Sequence, residues 1–89
     1  MDRLSLCIIS LLGHAGRLPY EQLEIRATMC LRGQGATPIP SEQAFRQTLD
    51  VLCEQYVVIE ESPRRAPLYS LSPWGMQVYC REQRKTSTP

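Results

Sequence analysis

The chain is poor in the features that announce a chemistry. It has one histidine, a formal net charge of +1, four cysteines with no CxxC pair among them, and an N-terminal apolar stretch that runs no further than Leu4 to Leu12. Each shortage excludes something. A helix that crosses a bilayer needs about 20 consecutive apolar residues, so the N-terminal stretch is not a span. Asp2 offsets Arg3 and no small-residue cleavage site is convincing, so the segment is not a signal peptide either. The expectation is a cytoplasmic protein with no membrane partner. A net charge of +1 gives the whole chain no strong field for nucleic acid, so any attraction to phosphate must come from local clustering.

Cys7, Cys30, Cys53 and Cys80 lie far apart, and His14 is the lone imidazole. Zinc sites bring their ligands in close pairs on a turn, which this spacing does not provide. Neither a metal nor a cofactor is expected, and the cysteines read as reduced thiols packed as small hydrophobes. Two disulfides remain the alternative. Catalysis is poorly served as well. A Cys–His pair would require a distant cysteine to converge on His14 with no orienting carboxylate nearby in sequence. Glu60 and Glu61 are neighbours and point to opposite faces of a strand, unlike a working carboxylate pair. Gly33 and Gly35 make no phosphate cradle, because Pro38 and Pro40 stand between them and the next helix. No catalytic residue is assigned, and the chain is not expected to be an enzyme.

What remains is ordinary globular material: 89 residues, 43% apolar and 21% charged, enough for one domain with one core. Leu4, Cys7, Ile8, Leu11 and Leu12 share an arc at helical spacing, which predicts a helix over 2–12 ended by Gly13 and Gly16. Leu6 and Ile9 fall off that arc and are either covered by another part of the domain or open to a partner. A second helix is predicted from Pro19 to Leu31, with Leu23, Ala27, Cys30 and Leu31 on one side and Ile25 and Met29 on the other. The glycines and prolines of 32–40 predict a loop.

Ser41 then caps the most amphipathic helix, with Phe45, Leu49, Leu52 and Tyr56 in a narrow arc and Gln43, Arg46, Gln47, Asp50 and Glu54 opposite. Val57 to Ile59 and Leu68 to Leu71 are strand-like, and with the intervening loop they predict a β-hairpin whose tip carries Arg64 and Arg65. Ser72 followed by Pro73 is a helix start signal, and Trp74 and Val78 are expected to fold back on the core. The domain is expected over 1–82, with 83–89 a polar, disordered tail.

The order helix, helix, helix, two-stranded hairpin, helix resembles a winged-helix domain. The resemblance is carried by TLDVLCEQYVVIEE (Thr48 to Glu61) and LYSLSPWG (Leu68 to Gly75), and it is similar to a run in PadR-like and MarR-like transcription regulators. Those families end a leucine-rich helix in an apolar-Ile-Glu strand, follow with a basic wing, and open the next helix with Tyr-x-Leu-Ser/Thr-x-x-Gly. Here the last motif is Tyr69, Leu71, Ser72 and Gly75. These families usually place a glycine at the end of the third helix, where this chain has Tyr56.

The resemblance implies a mainly α fold with a small hairpin and a role in binding double-stranded DNA for transcriptional control. It implies that Gln43, Arg46 and Gln47 face base edges, that Arg64 and Arg65 are wing contacts, and that Arg32 reaches phosphate from the preceding loop. A homodimer is expected, with Leu6, Ile9, Ile25 and Met29 as the apolar residues available to pair two copies. The alternative is a winged-helix protein-interaction module that binds another protein and no DNA. From Ser41 to Tyr56 one base, Arg46, faces three acids, Glu42, Asp50 and Glu54, and that balance favours the alternative.

Overall fold

A computed structural model describes residues 2–61 and 67–86. In chain order the elements are α1 (Arg3–Ala15), β1 (Arg17–Pro19), α2 (Tyr20–Gly33), α3 (Glu42–Glu54), β2 (Val58–Glu61), β3 (Leu68–Leu71) and α4 (Pro73–Thr86). The three strands form an antiparallel sheet in the order β1-β3-β2. The expected two-stranded hairpin is therefore joined by a third strand, in which Leu18 faces Tyr69 and Pro19 faces Leu68. Pro19 closes this edge strand and caps α2 instead of opening the helix. An edge is where a residue without an N–H is tolerated.

One core lies between the helices and the sheet. Ile8 and Leu12 of α1, Leu23 of α2, Leu49 of α3 and Val58 of β2 are almost wholly excluded from water. Asp2 caps α1 by accepting from the Ser5 N–H at 2.8 Å, and Ser41 caps α3 by accepting from Ala44 at 3.2 Å. Each cap satisfies an amide that the helix itself leaves without a partner.

Helix α1 does not stop at Gly13. It runs on to Ala15, with Gly16 beyond it at φ 83°. Gly13 has a packing role, because a Cβ there would enter the ring of Tyr79 on α4. Ile9 is also placed differently from the partner surface proposed for it. It is 1% exposed and belongs to the core, because α4 packs along the side of α1 that helical spacing alone leaves bare. Leu6 is half-buried.

Helices α2 and α3 end in the same way. Ala36 donates to the Leu31 carbonyl and Gly35 to that of Arg32, while Val57 donates to Leu52 and Tyr56 to Cys53. Both are Schellman closures, which need a left-handed residue after the helix. Gly35 (φ 72°) fills that position after α2 and Tyr56 (φ 58°) after α3. Tyr56 thus lies past the helix and is 77% exposed, instead of continuing the buried arc.

At the start of α4 the hydroxyl of Ser72 accepts from the Gly75 N–H at 2.9 Å and donates to the carbonyls of Tyr56 and Val57. A Cβ on Gly75 would collide with the Val57 carbonyl oxygen. Gly75 and Val78 take the inner face, which leaves Trp74 47% exposed, outside the core expected for it. Helix α4 continues to Thr86, so the part of the expected tail over 83–86 is helical.

Three substitutions test these constraints by chemical denaturation. Gly75→Ala should destabilise the fold by about 1–3 kcal/mol, the usual cost of overpacking against an atom that cannot move. Tyr56→Gly should stabilise it by about 1 kcal/mol by removing the left-handed penalty. Gln55→Gly, one residue earlier at φ −83°, should do the reverse.

Candidate nucleic-acid interface

The solvent face of α3 follows from its buried one. With Phe45, Leu49 and Leu52 inside, an advance of about 100° per residue puts Gln43, Gln47, Asp50 and Glu54 on the opposite side, and all four are exposed. Along this surface the two glutamines, one turn apart, are followed by the two carboxylates. Gln47 also borders a shallow cavity of about 460 Å³ shared with Asp2 and Ser5 at the start of α1.

Arg46 stands on the flank of this face, turned toward α2. Its guanidinium lies 4.9 Å from the centroid of the Tyr20 ring, a cation–π distance. Tyr20 meets Phe45 edge-on with centroids 5.5 Å apart and Tyr69 at 6.4 Å. The arginine therefore rests on an aromatic support built from the start of α2, the core of α3 and the middle of the sheet. Arg46, Tyr20, Tyr69 and Glu60 line a groove of about 540 Å³ between α3 and the base of the hairpin. Burial pushes the Tyr69 phenol up to about 12, and the neighbouring Glu60 carboxylate adds to the rise. Burial also raises Tyr20, while Arg46 acts in the opposite direction.

The remaining site residues expected from sequence are scattered. Arg32 is exposed in the last turn of α2, about 18 Å along the helix axis from Tyr20 at 1.5 Å per residue. Arg64 and Arg65 lie outside the described residues. On the outer side of α2, Ile25 and Met29 are 51% and 65% exposed and one turn apart. Sequence reasoning missed Tyr20 as the support of Arg46, and Glu60 and Tyr69 as walls of the same groove. No periodicity marks them, since three separate elements bring them together. Among the described residues no cluster of three or more metal-ligating side chains occurs, and no helix is long and apolar enough to cross a membrane.

No protein-family model matches the chain, and no curated protein matches it. Solved structures do. NadR, solved in complex with 4-hydroxyphenylacetate, superimposes with a TM-score of 0.72 and 21% identity, over 96% of this chain and 54% of NadR. A MarR-family transcriptional regulator from Silicibacter pomeroyi gives 0.73 and 21%, over 94% of this chain and 51% of the regulator. F93 from STIV, described as a winged-helix DNA-binding protein, gives 0.68 and 16%, over 92% and 84%. The chain is a winged-helix domain resembling MarR-like regulators, and it spans about half the length of the first two.

The raised Tyr69 phenol gives a pH test of the groove. Its folded value lies above the ordinary 10, so the neutral ring stabilises the fold fully below pH 10. That contribution is lost as pH rises through about 12. Ultraviolet titration should show the Tyr69 phenol as the last to ionise, after the less strongly raised Tyr20, together with falling stability above pH 10. Tyr69→Phe should abolish the late step.

Proposed function

We propose that this winged-helix domain binds double-stranded DNA in transcriptional control and acts as a homodimer. The observation that carries this reading is the solvent face of α3, where Gln43 and Gln47 stand side by side with Arg46 held beside them on Tyr20. Glutamine and arginine are side chains that read base edges bidentately. An arginine already ordered by an aromatic ring loses less freedom when it binds. The fold shared with F93 and with the MarR-family regulator supports the same reading.

In this reading α3 supplies base contacts and little phosphate affinity, because Glu42, Asp50 and Glu54 outweigh Arg46. Phosphate contacts fall to Arg32 and to Arg64 and Arg65 of the wing, a set too small in one copy for firm binding at physiological salt. Two copies double it. Of the four apolar residues expected to join them, Ile25 and Met29 are the well-exposed pair. The same pair favours a second reading, in which the exposed side of α2 docks on a different protein and DNA is not bound. The domain carries out no catalysis in either reading.

Fluorescence anisotropy of a labelled duplex at roughly 50 and 200 mM salt separates these possibilities. A monomer with about three phosphate contacts should weaken some 40-fold over that range, and a dimer with about six should weaken about 10³-fold. Arg64→Ala/Arg65→Ala should flatten the salt dependence. Arg46→Ala should weaken binding while leaving the salt slope almost unchanged. Absence of binding at the lower salt would overturn the DNA reading in favour of a protein partner at Ile25 and Met29.

A further inference from the structure

Cys7 in the middle of α1 and Cys30 near the end of α2 come from distant parts of the chain, yet their sulfurs lie 3.0 Å apart. A disulfide bond is about 2.05 Å long, so about 1 Å of side-chain motion separates contact from covalent linkage. The two thiols are unequally placed. Cys7 is 2% exposed, whereas Cys30 is partly open to solvent and its sulfur accepts from Nε2 of Gln34 at 3.6 Å. Both line a groove of about 210 Å³ with walls from Leu6, Ile9 and Tyr79 and polar groups, Arg3 and Gln34, along it. A small molecule therefore has a route to the Cys30 sulfur, with Cys7 directly behind it.

We propose that Cys7 and Cys30 form a reversible dithiol–disulfide pair that staples α1 to α2 when the protein meets a small-molecule disulfide. The Cys30 thiolate attacks one sulfur of the disulfide RSSR, forming a mixed disulfide and releasing RS⁻, which takes up a proton. Cys7 then loses its proton to solvent and its sulfur displaces the second RS⁻ from Cys30. The net change is two protein thiols oxidised to one disulfide and RSSR reduced to two RSH, with two electrons transferred. Burial and the neighbouring Cys30 push the Cys7 thiol up to about 12. The second step therefore runs through a minor thiolate population and accelerates as pH rises. The pairing is independent of whether the domain binds DNA.

Oxidised and reduced glutathione in mixed buffers are the probe, with the full chain alkylated and digested at intervals for mass spectrometry. The expected result is loss of two hydrogens from the monomer, a peptide joining Cys7 to Cys30, and a Tm higher by roughly 10–20 °C, since the bond closes a loop between residues far apart in sequence. A Cys53→Ala/Cys80→Ala variant should behave in the same way. Cys30→Ala should lose the Tm rise and carry no mixed disulfide at its groove. The proposal is overturned if the exposed Cys80 becomes glutathionylated while Cys7 and Cys30 stay alkylatable. It is equally overturned if cross-links form only between copies, or if the Cys7–Cys30 bond fails to raise Tm.

Discussion

The fold is arranged around the carbonyl of Val57. It is the first backbone oxygen after the turn that ends α3, and three constraints meet there: the Ser72 amide donates to it at 3.1 Å, the Ser72 hydroxyl at 3.3 Å, and Gly75 packs against it with no room for a side chain. Ser72 is 6% exposed, so water cannot substitute for these bonds and their loss would leave buried polar groups without partners. The same hydroxyl caps α4 through the Gly75 amide. One side chain thus couples the exit of α3, the end of β3 and the first turn of α4. The base of the wing and the axis of α3 cannot move independently, and the groove that holds Arg46 depends on their relative placement.

This coupling also accounts for Tyr56. A residue with a side chain in the left-handed region costs about 1–2 kcal/mol, and Tyr56 recovers little of that by burial at 77% exposure. The conformation persists because neighbouring bonds determine it. Val57 closes onto Leu52, Tyr56 closes onto Cys53, and Ser72 holds the Tyr56 carbonyl from the other side. Helix α2 meets the same geometric demand with Gly35, which adopts the left-handed conformation without that cost. Strain of this kind survives where the surroundings over-determine the backbone.

The parts legible in the sequence were those governed by local rules. Ser41 and Ser72 as caps and the arc of Phe45, Leu49 and Leu52 follow from hydrogen-bond valence and helical period, and the structure has them all. Strand β1 was hidden because Arg17, Leu18 and Pro19 are too few to show an alternation and exist as a strand only through β3. Gly13 looked like a helix end because the ring of Tyr79 that demands a glycine lies far along the chain. Ile9 looked spare for a related reason, since its cover comes from α4. At the candidate interface, the exposure of Gln43 and Gln47 was readable from the helical wheel. The seat of Arg46 on Tyr20 was not, because it depends on where two helices and a sheet converge.

The charge distribution narrows what α3 can contribute. A helix bearing Glu42, Asp50 and Glu54 against Arg46 loses electrostatic energy as it nears phosphate, so it cannot be the element that brings the domain to DNA. In the proposed function it discriminates once other groups have placed it, because the two glutamines lie on the face opposite the buried one and the arginine is held at one side of them. Positioning and reading are separable tasks. In the proposed function they fall to different elements, with arginines at the end of α2 and on the wing for the first and α3 for the second. Acids beside the reading residues then act against close approach unless base contacts repay it. In the proposed function a domain built this way gives up nonspecific affinity, which a second copy would restore by doubling the phosphate contacts.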